Sequence, residues 1–280
     1  MGSFHLLLLL LTFFSHFIPS FSSPIIQAAI HQHPKAYYNC TNDATFAANS
    51  TYRSNIKTLL DRLSSNVAGN PPISYNTTVA SKNTAHTVYG FSYCRTILTT
   101  NICQECVIET GKLLLSLCTM AKEAIIWNGQ GCYVRYSNRY FFSTVEESPK
   151  LTFADDHNYE GHNGRFNTIL FDLLNDLRTR AANASNKYSY MEVKITEDEK
   201  ELHGSAFCAP YLSTENCNWC LDYAIAEVTT VCCKGKSGGT VLYPSCSAKF
   251  ELYPYGLPPS LPSSTHPSAQ PGFVAMFIPH

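Results

Sequence analysis

The chain is short of charge. Lys, Arg, Asp and Glu make up 15% of its 280 residues, against about a quarter in an average globular protein. The two signs nearly cancel, to a formal net charge of -1. That balance excludes nucleic acid and anionic membrane as main partners, because both are held through an excess of Lys and Arg. Metal-binding patterns are missing as well: the ten histidines show no HExxH or comparable spacing, and no metal or cofactor is expected. Long apolar runs are also missing. The longest, residues 6–18, falls short of the roughly 20 residues that cross a bilayer. The apolar stretch 272–280 is shorter still and lacks the length of a lipid-anchor signal. No membrane span is expected in the mature chain.

The first 34 residues contain no Asp, Glu, Lys or Arg. A Leu run at 6–11 is extended by Phe13, Phe14, Phe17 and Ile18, then followed by Pro19, Ser20, Ser22 and Ser23. This reads as a secretory signal peptide over 1–23, although no Lys or Arg precedes the Leu run. The mature chain is then expected outside the cell, where thiols become disulfides. Hydrophobic residues reach 45%, enough for real cores, and the length suits one large domain or two ordinary ones.

What the chain has in number is cysteine, twelve in all. Cys94, Cys103, Cys106, Cys118 and Cys132 recur 114 residues later as Cys208, Cys217, Cys220, Cys232 and Cys246. Other residues keep the same offset: Gly90 with Gly204, Tyr52 with Phe166, Ile56 with Leu170, Leu60 with Leu174, Leu63 with Leu177. Such self-similarity marks a tandem repeat. We expect domains at 35–144 and 150–254, a polar junction at 146–149, and a Pro/Ser-rich extended tail over 255–280.

Each copy repeats one coarse pattern. Ile56, Leu59, Leu60 and Leu63 fall on one helical face, as do Phe166, Leu170, Leu173, Leu174 and Leu177. A second helix is expected over 102–118, with Val107, Leu114 and Leu117 inward. Its counterpart follows Ser213 as N-cap. Residues 88–94, 124–136, 206–211 and 240–253 are aromatic and β-branched and read as strands. Two helices and a few strands per copy give an α+β layer.

The CxxC pairs admit a zinc site at Cys103, Cys106, Cys118 and Cys132 or a redox pair. The signal peptide favours structural disulfides over both. Spacing does not fix their connectivity. Two cysteines break the symmetry. Cys40 has Ala154 at its matching position, and Cys233 is extra beside Cys232. A bridge between neighbours is disfavoured, since their Cα atoms are only about 3.8 Å apart. The pair is therefore open: bridged, free, or joined to another chain.

The double C-x8-C-x2-C pattern resembles the ginkbilobin-homologous, or stress-antifungal, domain of plants. The likeness is carried by CCKGKSGGTVLYPSCSAKFELYPY (232–255), NCTNDATFAANSTYRSNIKTLLDRL (39–63) and KEAIIWNGQGCYVRYSN (122–138). With its signal peptide the chain is similar to cysteine-rich repeat secretory proteins. It is also similar to the ectodomains of cysteine-rich receptor-like kinases, in which case it ends in a juxtamembrane linker. The resemblance implies two helices packed on an antiparallel sheet in each copy. It implies bridges Cys94–Cys103, Cys106–Cys132, Cys40–Cys118, Cys208–Cys217 and Cys220–Cys246, leaving Cys232 and Cys233 unassigned. It also implies a mannose site built from an Asn, an Arg and a Glu, whose donors and acceptors suit sugar hydroxyls. Copy one holds Thr41, Ile126 and Ser137 at those positions, and copy two holds Asp155, Thr240 and Glu251. Only Glu251 matches, with Asp155 a partial substitute.

The remaining motifs are weaker. Residues 235–239 fit GxSxG, but the strand–turn–helix context of a nucleophile elbow is absent. Four sequons, at Asn39, Asn49, Asn76 and Asn183, are candidate glycosylation sites. The leading expectation is a secreted, non-catalytic interaction protein of plant defence or stress signalling in the apoplast. Its partner would be a cell-surface receptor or a cell-wall or fungal glycan. The alternatives are a carbohydrate-binding antifungal lectin and a secreted thiol redox protein resting on Cys232 and Cys233.

Overall fold

The structure is a computed structural model that describes residues 36–69, 73–129, 131–161, 163–195, 200–254 and 274–276. The expected signal peptide lies outside the described residues, as does the expected tail apart from 274–276.

The chain folds as two α+β copies. In copy one, β1 (Ala36–Thr45) leads to α1 (Thr51–Ser65), β2 (Ile73–Val79), β3 (Val88–Cys94), α2 (Thr100–Leu117), β4 (Ala121–Asn128) and β5 (Cys132–Ser137). Copy two runs β6 (Leu151–Ala154), α3 (Asn163–Asn183), β7 (Tyr188–Ile195), β8 (Lys200–Cys208), α4 (Thr214–Ala226), β9 (Gly238–Leu242) and β10 (Cys246–Pro254). A short β11 (Val274–Met276) pairs with β6. The sheet orders are β1-β4-β5-β3-β2 and β11-β6-β9-β10-β8-β7.

The helices form where side chains stop the backbone from fraying and an apolar face can be covered. Ser50 Oγ accepts from Arg53 N at 3.3 Å, and Ser213 Oγ accepts from Asn216 N at 3.1 Å, which satisfies free N–H groups at the starts of α1 and α4. Tyr52, Ile56, Leu59, Leu60 and Leu63 of α1 are buried against sheet one. Phe166, Leu170, Leu173, Leu174 and Leu177 of α3 do the same in copy two.

Some expectations are corrected. The stretches 124–136 and 240–253 are each a hairpin, not one strand. The first turns at Gly131, in the left-handed region at φ +109°, with its N–H donating to Asn128 O at 2.9 Å. Strands β1, β2, β6 and β7 are additions to the expected set. Leu117 was expected inward but is 37% exposed. Cys118, the next residue, takes the inward place because it is bridged to β1.

The two sheets meet through the faces turned away from their helices. Phe91, Ile125, Trp127 and Tyr133 of copy one, Phe207, Ala209 and Leu151 of copy two, and Phe141 and Phe142 between them form one buried cluster. Tyr93 stacks on Phe207 with centroids 3.8 Å apart. Tyr133 OH donates to Pro244 O at 3.3 Å. Large aromatic pairs of this kind supply about 0.5–1.5 kcal/mol each beyond area burial.

Candidate functional site

The connection between the copies is held by charge. Arg135 lies on β5, only 3% exposed, and reaches Glu123 Oε1 at 2.6 Å. It also pairs with Glu146, and its guanidinium lies 4.1 Å over the Phe141 ring. Arg139 adds a contact to Glu123 at 2.7 Å. Burial alone would raise the Glu123 carboxyl, but hydrogen bonds and charge from Arg139 and Arg135 outweigh it and hold it below its ordinary value. Burial opposes charge on Arg135; Tyr133, Glu146 and Glu123 reverse that and raise it. The sequence signal was a lone cation within an apolar strand, Tyr133 to Tyr136, and it was missed.

Asp155, just past the end of β6, and Glu251, on β10, lie on either side of β9. Glu251 pairs across β9 with Gly238 and across β8 with His203. Phe250 and Leu252 pack on the helix-side core, so Lys249, Glu251 and Tyr253 face away from it. A Cβ on Gly238 would stand 3.5 Å from Asp155 Cβ, and Asp155 N donates to Gly238 O at 2.9 Å. Both carboxylates are already engaged. Glu251 takes a hydrogen bond from Tyr253 OH and an ion pair from Lys249 at 2.7 Å, while Asp155 accepts from His157 N at 2.9 Å. Burial, then the Glu251 hydrogen bond and charge, raise the Tyr253 phenol. Burial, then Glu192, push Tyr190 up to about 12. In copy one, Ile126 and Ser137 are buried, so neither meets solvent.

A second polar–aromatic surface lies on α4. Trp219 and Tyr223, four residues apart, are 55% and 47% exposed. Their rings are 6.3 Å apart and inclined by only 26°. Thr214, Glu215, Asn218 and Asp222 complete an open groove of about 760 Å3, and Asp222 is paired with Arg178. The i, i+4 spacing of Trp219 and Tyr223 was the readable signal, and it too was missed.

All twelve cysteines are bridged. The pairs are Cys40–Cys118, Cys94–Cys103, Cys106–Cys132, Cys208–Cys217, Cys220–Cys246 and Cys232–Cys233. The four cysteines considered for zinc are thus spent in three different bridges. Among the described residues no group of three or more His, Cys, Asp or Glu is placed to hold a metal. No described helix is long and apolar enough to cross a membrane. The 235–239 segment follows a helix and runs into β9, with Gly235 in the left-handed region at φ +73°. The four sequon asparagines are exposed.

The register changes one correspondence. Ile126 pairs with Val134 in copy one, and Val241 with Ala248 in copy two. The offset is therefore 114 along β5 and β10 but 115 along β4 and β9. The additional residue enters where α4 runs into a π turn, Glu227–Val231, the usual way a helix absorbs an insertion. A shorter β9–β10 turn restores the count. The position of Cys118 is consequently filled by Cys233, not Cys232. Cys118 Sγ lies 4.0 Å from Asn39 O, and Cys233 Sγ lies 3.4 Å from Phe153 O, the matching strand position.

A tandem of disulfide-framed modules, each two helices on an antiparallel sheet, defines the class of protein. A family model described as salt stress response/antifungal matches residues 39–139 and 153–253, and the chain belongs to that family. It is 33% identical to the antimicrobial ginkbilobin-2-like protein of Castanea crenata, over 78% of this chain and 88% of that protein. It is also 33% identical to the cysteine-rich receptor-like protein kinase 25 of Arabidopsis thaliana, over 78% of this chain. The chain spans about a third of the length of that kinase, 32%. The fold is similar to the tandem DUF26 ectodomain of the Arabidopsis thaliana cysteine-rich receptor-like protein PDLP8, with a TM-score of 0.62 at 18% identity, covering 77% of this chain and 96% of that one.

Proposed function

We propose that this chain is a secreted, non-catalytic interaction protein acting in plant defence or stress signalling at the cell surface or in the apoplast. Its disulfide framework suits an oxidising compartment. The observation that carries the reading is an exposed apolar stripe on copy one. Leu113 and Leu117 share one edge of α2, and Met120 continues it beyond the helix end; all three are exposed. Contiguous exposed apolar side chains mark protein-interaction surfaces, and a cell-surface receptor ectodomain is the partner class. The test is binding of labelled protein to plant protoplasts. Saturable, protease-sensitive binding that weakens at least about tenfold in Leu113→Glu/Leu117→Glu, with an unchanged melting temperature, is the expected result. Binding that ignores the double variant, or its absence, rejects the reading.

A second reading is favoured by the Trp219–Tyr223 platform. Exposed, nearly parallel rings beside carboxylate, amide and hydroxyl groups offer a saccharide both stacking and hydrogen bonds. The likeness to an antimicrobial ginkbilobin-2-like protein supports a microbial target, and a fungal or cell-wall glycan is the ligand class. A glycan array tests it. Loss of binding in Trp219→Ala but not Glu251→Ala would place the sugar on α4; the reverse would place it at Glu251; no bound glycan rejects the lectin reading.

A further inference from the structure

The Cys232–Cys233 bridge differs in kind from the other five. Those join separate elements: Cys40–Cys118 ties β1 to the end of α2, and Cys220–Cys246 ties α4 to β10. They span sequence separations from 9 to 78 residues. A crosslink stabilises a fold chiefly by closing a loop in the unfolded chain. The Cys232–Cys233 bridge spans a separation of 1, so it closes no loop and fastens no element to another.

Packing asks only for one of the two sulfurs. Cys233 fills the Cys118 position, is 1% exposed, and sits where a Cβ on Gly239 would be, 2.7 Å from its Sγ. Its strand partner is absent, because Ala154 stands where copy one has Cys40. Cys232 lies at the end of the π turn and is half-buried, with exposed Lys234 two residues on.

We propose that Cys232–Cys233 is a thiol–disulfide exchange site for a low-molecular-weight thiol of the glutathione type. The thiolate attacks the accessible Cys232 Sγ. The Cys232–Cys233 bond breaks, a mixed disulfide forms on Cys232, and the electron pair leaves on Cys233 Sγ, which takes a proton. A second thiolate attacks the small thiol's own sulfur in that mixed disulfide. The external disulfide departs, and Cys232 takes the second proton. Two external thiols are oxidised and one protein bridge is reduced; the external disulfide reverses the reaction. The site is independent of the interaction reading above, since it needs neither the α2 stripe nor a partner.

The test uses the secreted full chain equilibrated in a series of glutathione to glutathione-disulfide ratios, alkylated, and mapped by mass. The expected result is labelling of Cys232 and Cys233 at ratios that leave the other ten cysteines bridged. The melting temperature should move by less than about 2 °C across that step. Cys232→Ser should abolish the step while keeping the circular dichroism spectrum. Opening of any other bridge at an equal or more oxidising ratio overturns the proposal. So does a fall in melting temperature that tracks the labelling, or a Cys232 and Cys233 thiol pair that glutathione disulfide fails to close.

Discussion

Gly90 lies directly beneath Leu59: a Cβ on that glycine would stand 2.3 Å from Leu59 Cδ2. The same close approach recurs in copy two, where a Cβ on Gly204 would stand 2.6 Å from Leu177 Cδ1 and 3.1 Å from Leu173 Cδ2. Each glycine lets the first helix of its copy settle onto the sheet at the centre of the core. Gly90→Ala should therefore destabilise the protein by about 1–3 kcal/mol through overpacking. Gly164, near the start of α3, meets nothing within 4 Å, and Gly164→Ala should stabilise by about 0.4–1 kcal/mol. Urea unfolding midpoints of the two variants should move in opposite directions.

Removing Arg135 should cost far more than removing an exposed cation. Arg135→Ala leaves the Glu123 and Glu146 carboxylates, only 12% and 16% exposed, with the exposed Arg139 as their remaining cation. Breaking a buried pair on one side costs about 3–5 kcal/mol. Lys57→Ala, an exposed site on α1, should stay within about 0.5 kcal/mol. Chemical denaturation of both variants checks the contrast.

The same cluster sets an acid limit. The folded-state Glu123 carboxyl is held below its ordinary value, so the unfolded chain binds its proton more readily. Stability from this group is full above the ordinary glutamate range and is lost as pH falls through the lowered folded value. Urea midpoints should thus fall as pH drops below about 4.3, and Glu123→Gln should flatten that part of the profile. An equally steep profile in the variant would remove Glu123 as the cause.

The fold was legible where residues answered to core geometry. Leu59, Leu63, Leu173 and Leu177 show the helical period because their faces meet a sheet, and the cysteine spacing exposed the tandem. Strands β2 and β7 lie at sheet edges, yet β7 carries the alternation, with Met191, Val193 and Ile195 turned to the core and Tyr190, Glu192 and Lys194 exposed; what obscures both strands is their content of small polar residues, such as Ser74, Thr77, Thr78 and Ser189. The register shift was hidden for a different reason. A residue gained at the π turn is lost again in the β9–β10 turn, so Cys232 appears at the Cys118 position in sequence while Cys233 holds it in space. At the candidate sites, Glu251 could be found by its distance from Cys246. The engagement of its carboxylate by Lys249 and Tyr253 could not be read, since it depends on which face each strand residue takes.

The aromatic cluster between the sheets makes a claim about cooperativity. Tyr93 and Phe207 come from different copies and stack at 3.8 Å, and Phe91 packs edge-on against Tyr211 at 5.2 Å. Neither copy can expose this face without losing about 1.5–3 kcal/mol for each large side chain uncovered. The parent chain should therefore unfold in one calorimetric transition. Phe207→Ala combined with Phe91→Ala removes rings from both sides and should cost about 3–5 kcal/mol per ring. Because each copy keeps its own helix-side core and its own bridges, the double variant should unfold in two resolved steps. A single transition, merely shifted downward, would mean that the copies are coupled by the Arg135 cluster and not by the aromatic face; adding Arg135→Ala should then split it.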